Sequence, residues 1–226
     1  VVTSIDAGQL LDERYLVVAR RAAGATATVW ETQDEFLGRR VAVKVLHEHL
    51  AADADFLARF VEEARTAATV NHPNLVAVYD SITDHPGIVL EWVEGPDLRQ
   101  RLDTGPLEPH EAVALGTALC AGLTALHEQG LVHRDVKPAN ILLGPGSSGM
   151  AISPKLTDFG IATSNAGDRT ATGVVLGTAH SHPPEQVRGQ SIARRGAHLP
   201  LPALLSAALP RPAPCTRPGH LPPALG

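Results

Sequence analysis

The stretch "HRDVKPAN", residues 133–140, sets a carboxylate at Asp135, an amine at Lys137 and a side-chain amide at Asn140. A second carboxylate, Asp158, follows in "LTDFG", and Lys44 interrupts the apolar run "VAVKVL". Carboxylate and amide oxygens are hard ligands of the kind Mg²⁺ takes, and a carboxylate can also accept a hydroxyl proton. Taken singly, either Asp reads equally well as a turn residue. The case for chemistry therefore depends on which elements bring these residues together.

"RYLVVARRAAGATATVWETQD" alternates apolar and polar residues about a small-residue turn, which predicts strands near 14–20 and 27–32. "RRVAVKVL" (39–46) predicts a third strand with Val41, Val43 and Val45 on one face and Ala42, Lys44 and Leu46 on the other. Residues 53–70 read as a helix: Phe56, Phe60, Ala64 and Ala67 recur at helical spacing, and Asp53 and Asp55 suit its first turn. Strands are expected near 75–82 and over 87–93. The strongest helix spans 108–130, with a stripe of Leu115, Leu119, Leu123 and Leu126 and Gly130 to close it. Cys120 falls within that pattern and is expected to be a buried, inert thiol. "GPGSSGM" (144–150) reads as an insertion between two short strands. Strands with one helix, followed by a helical region, imply an α+β protein of two lobes.

His-Arg-Asp-x-Lys-x-x-Asn at 133–140, Asp-Phe-Gly at 158–160 and Pro-Glu at 184–185 together resemble the protein-kinase catalytic core over about residues 14 to 190. Wording such as "VNHPNLVAVYD" and "DFGIA" is similar to bacterial Ser/Thr kinases of the actinobacterial type. The resemblance implies a two-lobed kinase-like fold, with an antiparallel-sheet N-lobe and an incomplete helical C-lobe. It implies transfer of the ATP γ-phosphate to Ser or Thr hydroxyls of proteins, with ATP and Mg²⁺ bound. Asp135 would take or orient the substrate hydroxyl proton, and Lys137 would reach the transferred phosphate. Asn140 and Asp158 would hold Mg²⁺. Lys44 resembles the lysine that grips the α- and β-phosphates and pairs with a helix glutamate. Glu63 aligns best with that partner, while Glu62 points about 100° away round the helix, toward solvent.

Val29 and Ala42 would lie above the base and Leu142 below it. Leu90 resembles the gatekeeper, and Glu91 to Val93 would offer hinge backbone groups. The glycine loop departs from the family, because Ala22, Gly24 and Ala27 fill the three glycine positions and only Gly24 keeps the pattern. Arg21 also stands where an apolar residue over the adenine is usual. Weak ATP affinity is one implication, and a nucleotide- or partner-binding module without turnover is the alternative reading. Thr170 and Thr172 fall where the family autophosphorylates, with Arg134 as the expected dock for a phosphothreonine.

Composition bounds the rest. The net charge of −5 argues against a general nucleic-acid binder. The sequence shows no secretion signal and no apolar run of membrane-spanning length, so a cytoplasmic protein is expected. Expected partners are protein substrates, with a homodimer through the N-lobe as a further option. After Glu185 there is no Asp, Glu, Lys or aromatic residue apart from His, and eight prolines fall in the last 31 positions. That step predicts a boundary: lead-in 1–13, N-lobe and hinge 14–93, partial C-lobe 94–190 and a Pro/Arg-rich tail 191–226. A frameshift near 185–195 is the reading this change of composition suggests, with a disordered tail as the alternative. Without the usual later helices, the Leu115 to Leu126 stripe is expected to lose much of its cover.

Overall fold

The computed structural model describes residues 5–146 and 152–158. Six strands form one antiparallel sheet: β1 (Leu10–Leu11), β2 (Tyr15–Ala23), β3 (Ala27–Asp34), β4 (Arg39–Leu46), β5 (Val78–Ile82) and β6 (Gly87–Glu91). Their order across the sheet is β1-β2-β3-β4-β6-β5. The period-2 pattern read from β4 holds in space. Val41, Val43 and Val45 join an outer core with Tyr15, Val17, Ile82 and Val89, while Ala42 and Leu46 join the larger core on the opposite face.

That opposite face is covered by α2 (Ala54–Ala68), which follows the short α1 (Glu48–Ala51). Asp53 caps α2 as its sequence suggests, its side chain accepting the backbone N–H groups of Asp55 and Phe56 at 3.0 Å each. Phe60, Ala64 and Ala67 are the buried face of α2. Glu62 lies on the outer side, 72% exposed and paired with Arg65, as its helical phase requires.

The second lobe begins at α3 (Leu98–Asp103) and continues through α4 (Pro109–Glu128) to the paired strands β7 (Ile141–Pro145) and β8 (Ile152–Leu156). Pro109 opens α4, and the Glu111 side chain accepts the Glu108 N–H at 3.0 Å. At the other end Gly130 adopts φ 76, so that Gly130 N–H reaches the His127 carbonyl and Leu131 N–H reaches that of Leu126. These two bonds make the Schellman closure that the glycine foreshadows.

Two expectations about α4 are corrected. Leu115, Leu119, Leu123 and Leu126 do not lose their cover: each is at most 3% exposed, in one core with Leu75, Leu98, Leu107, Ile141, Leu143 and Leu156. Strands β7 and β8 and the loop after α2 supply apolar partners. Cys120 is exposed rather than buried. It follows Leu119 by one residue, about 100° round the helix, and shares the outer face with Val113, Thr117 and Thr124.

Several hydrogen bonds stitch the lobes together. Asn74, in the loop after α2, donates to the Pro154 carbonyl at 2.9 Å, and its own carbonyl accepts Leu156 N–H at 2.8 Å. Val76 N–H then bonds Leu156 O at 2.9 Å. The second connection is the hinge: Leu143 N–H bonds Pro96 O at 2.9 Å just past the end of β6. Asp158, just after β8, meets Lys44 of β4 between the Ala42 face of the sheet and the β7–β8 pair, and that junction is the cleft.

Candidate active site

The residues of 133–140 come together because hydrogen bonds pin the chain between α4 and β7. His133 is fully buried; its Nε2 lies 3.0 Å from the Thr157 carbonyl. Asn140 O in turn accepts Thr157 N–H at 3.0 Å, fixing the segment before Asp158 against the loop. A single 3₁₀ turn at Pro138–Asn140 then folds Asn140 back over Asp135.

The outcome is a compact polar cluster. Lys137 Nζ donates to Asp135 Oδ2 at 2.5 Å. Asn140 Nδ2 donates to the same oxygen at 3.0 Å and to the Asp135 carbonyl at 2.8 Å. Asp135 is thereby aimed by two donors while 27% of its side chain stays exposed. Because Nδ2 of Asn140 is spent on Asp135, Oδ1 is the atom it has left for a cation.

Asp158 faces this cluster and is ion-paired with Lys44 from β4. Burial pushes the Asp158 carboxyl up, but the Lys44 charge and hydrogen bond outweigh it and hold it below the usual carboxylate range. It is therefore an anion at neutral pH. Arg134 and Asp158 both adopt left-handed backbone, φ 63 and φ 62. Such strain in non-glycine residues gathers at sites whose geometry is held by their surroundings.

The residues expected to line the base also converge. Ala42 and Leu90 are buried, and Val29, Val93 and Leu142 lie against the same core from both lobes. Val29 pairs with Lys44, and Ala42 with Glu31, so these four share the cleft-facing side of β3 and β4. Glu63 is half-buried on α2 beside Ala64. Gly24 sits in the turn between β2 and β3, its N–H bonded to Ala27 O at 2.9 Å. Thr170 and Thr172, with the tail, lie outside the described residues.

The sequence matches the protein kinase domain family over residues 22–198. The chain belongs to the protein kinase family. It is 48% identical over 183 residues to the serine/threonine-protein kinase PknL of Mycobacterium tuberculosis, covering 79% of this chain and 45% of PknL. To the serine/threonine-protein kinase PknB of Mycobacterium leprae it is 41% identical over 194 residues, covering 82% of this chain and 30% of PknB. The solved PknI kinase domain of Mycobacterium tuberculosis superposes with a TM-score of 0.70 at 28% identity, over 95% of this chain and 83% of that one. The chain thus spans less than half the length of these two curated kinases.

Within this kinase frame, two site residues escaped the sequence reading. Lys155 on β8 pairs with Glu91 at 2.9 Å, and Glu91 also accepts Ala77 N–H at 3.2 Å. The hinge is thereby anchored through a side chain, in addition to the backbone groups expected of it. Asn74 is the other, as the staple between lobes. Neither carries a local sequence signal, because each partner is at least 64 positions away. Asp97 and Gln100 form a capping box that starts α3 just past the hinge, and that D-x-x-Q pattern was readable.

Proposed function

We propose that this chain transfers the γ-phosphate of ATP to Ser or Thr hydroxyls of protein substrates. The observation that carries this reading is the facing pair of clusters, Asp135–Lys137–Asn140 on one side and Asp158–Lys44 on the other. Phosphoryl transfer needs positioning and charge neutralisation more than covalent help. A substrate hydroxyl would hydrogen-bond Asp135; as its oxygen attacks the γ-phosphorus and the bond to ADP breaks, Asp135 takes the proton. Lys137, already beside Asp135, balances charge on the transferred group. Lys44 would exchange its contact with Asp158 for the α- and β-phosphates.

Asn140 Oδ1 and the Asp158 carboxylate fit Mg²⁺, which favours hard oxygens and keeps waters and phosphate oxygens as its other ligands. When bound, it would neutralise phosphate charge and align the leaving group. The names of PknL and PknB support a Ser/Thr acceptor. We place the activity in the cytoplasm, where ATP is supplied; among the described residues no helix is long and apolar enough to cross a membrane.

The intact mass of the chain before and after MgATP tests the reading, with Asp135→Asn as control. A gain of phosphate in the unsubstituted chain alone, mapped to Thr170 or Thr172, is the expected result. A folded chain that binds nucleotide and gains none would leave the second reading, a binding module. That reading draws on Ala22 and Ala27 standing in glycine positions.

A further inference from the structure

Arg21 is the residue at which this chain departs most sharply from an apolar lip over the nucleotide slot, and the structure gives it a different task. In the β2–β3 ladder Arg20 pairs with Trp30 and Ala22 with Val29, so Arg21 is the extra residue of a β-bulge. Bulges re-aim a side chain and recur beside functional sites. The guanidinium is turned across β3 to pair with Glu31, and it lies 5.5 Å from the centre of the Trp92 ring.

Glu31 belongs to the cleft-facing side of the sheet, two residues along β3 from Val29 and opposite Ala42. Its side chain is 5% exposed, yet it meets two half-exposed guanidiniums, Arg21 and, at 3.5 Å, Arg40. Arg40 lies 5.8 Å from the same Trp92 ring and pairs onward with Glu94. Trp92 and Glu94 flank Val93 in the hinge. The Trp92 Nε1 is buried without a hydrogen-bond partner among the described residues. The ring packs against the main core and lies under the two cations, and its own polar atom takes no part in holding it.

We propose that Arg21 is a positioning residue for the nucleotide, latching the hairpin that covers the slot to the hinge that meets the base. The hairpin itself is a closed, regular turn, Ala23 paired with Thr28 and Gly24 N–H bonded to Ala27 O. With alanines at two glycine positions, its height over the slot is set at its root, by the Arg21–Glu31–Trp92 contact. The proposal rests on the nucleotide-binding reading above.

Adenosine is the probe that isolates the latch, since it carries no phosphate and its binding has no direct charge component. Calorimetry on the full chain compares adenosine with MgADP at about 0.05 M and about 0.5 M salt, where screening lengths differ several-fold. Arg21→Gln is expected to weaken adenosine roughly five- to tenfold at low salt, with an unchanged circular dichroism spectrum and with Arg40 still neutralising Glu31. Wild-type affinity for adenosine should fall with salt, and the variant should lose that dependence. Arg21→Lys should recover little, because an ammonium cannot pair with Glu31 and stack on an indole with one planar group. Trp92→Leu should weaken adenosine to a similar degree, and adding it to Arg21→Gln should cost nothing more. An exposed arginine elsewhere, Arg99→Gln, should change neither ligand. Equal adenosine affinity in Arg21→Gln and wild type, or additive losses, overturns the latch alone. A wild-type chain that binds neither adenosine nor MgADP overturns the nucleotide reading and the latch with it. Should Arg21→Gln not fold, Trp92→Leu and Arg21→Lys decide the matter by the same salt comparison.

Discussion

Lys44 and Asp158, 114 residues apart in sequence, form one ion pair across the cleft. Lys44 is 8% exposed and Asp158, through its side chain, 35%. The lysine ammonium is thus almost wholly withdrawn from water, with the carboxylate as its counter-charge. Replacing Asp158 by Asn should cost about 1–2 kcal/mol of stability, moderated by the exposed third of the carboxylate. Lys44→Met should recover part of that loss in the double variant, a non-additivity measurable by urea unfolding. Either single change should lower phosphoryl transfer at least about 100-fold. Because the Asp158 pKa is depressed on folding, its stabilisation is present above the ordinary carboxylate range, near pH 4, and is lost as pH falls through the folded value. Asp158→Asn should flatten that acid limb; an unchanged limb would contradict the pairing.

His133 predicts a pH dependence at milder acidity. Burial pushes its imidazole below the ordinary histidine range, against the raising influence of Asp158 and Asp135. Its geometry suits the neutral ring: Nε2 faces the Thr157 carbonyl at 3.0 Å as donor, and Nδ1 faces Asp135 N–H at 3.4 Å as acceptor. A second proton on Nδ1 would confront that N–H. The unfolded chain therefore binds a proton at higher pH than the folded one. Stability should decline as pH drops from about 6.5 toward the folded value. Urea midpoints at about pH 7.5 and 5.5 should differ in the wild type and differ less in His133→Phe. Equal shifts in both proteins would assign the slope elsewhere.

Gly95 sets the crossing from hinge to second lobe. It has φ 139, and a Cβ there would stand 2.0 Å from the Leu143 carbonyl oxygen. That carbonyl belongs to β7, whose Leu143 N–H is bonded to Pro96 O, so neither side can yield cheaply. Gly95→Ala should cost roughly 3 kcal/mol or more, through strain and overlap together. Gly8 supplies the comparison, since its φ is 89 but no atom lies within 4 Å of its would-be Cβ. Gly8→Ala should cost only about 1 kcal/mol. A Gly95→Ala chain as stable as Gly8→Ala would show that the hinge can shift.

What could be read from the sequence follows the range of the forces involved. The alternation of β4, the Asp53 cap and the Gly130 closure are local, so their residues announced them. The spacing of Asp135, Lys137 and Asn140 is local too, and the kinase resemblance suggests the roles proposed for them. The Arg21 latch, the Lys155–Glu91 pair and the Asn74 staple are tertiary, joining residues whose own neighbours in sequence say nothing of the partner. Cys120 departs from expectation because an apolar segment is not buried all round: a helix of period 3.6 gives each position its own side. The cover over Leu115 to Leu126 comes from residues distant in sequence, in β7, β8 and the loop after α2, which a reading of the helix alone does not supply.

Asp12 and Asp84 bring two carboxyl groups together where two turns meet. Asp84 accepts Asp12 N–H at 2.8 Å, and Asp12 accepts the N–H groups of Thr83 and Asp84, clasping the turn after β1 to the β5–β6 turn. Burial raises the Asp12 carboxyl, and the side chain of Asp84 raises it further. For Asp84 burial acts in the same direction, yet its hydrogen bonds, with Asp12 foremost, hold it below the ordinary range. The upward shift of Asp12 reflects in part the like charge of Asp84 beside it. Asn at position 12 would keep an oxygen for Thr83 and Asp84 and offer Nδ2 to Asp84 without a second charge. It also tolerates the left-handed backbone at this position, φ 45. Asp12→Asn should stabilise the chain at pH 7 by up to about 1 kcal/mol. The sign of the linkage makes the gain pH-dependent. A raised acid pKa means the folded wild type binds its proton first, so wild type gains on the variant as pH falls through that pKa toward about 4. Denaturation curves at both pH values should show the two proteins converging on acidification, and a variant less stable than wild type at pH 7 would show that the like charges are already offset.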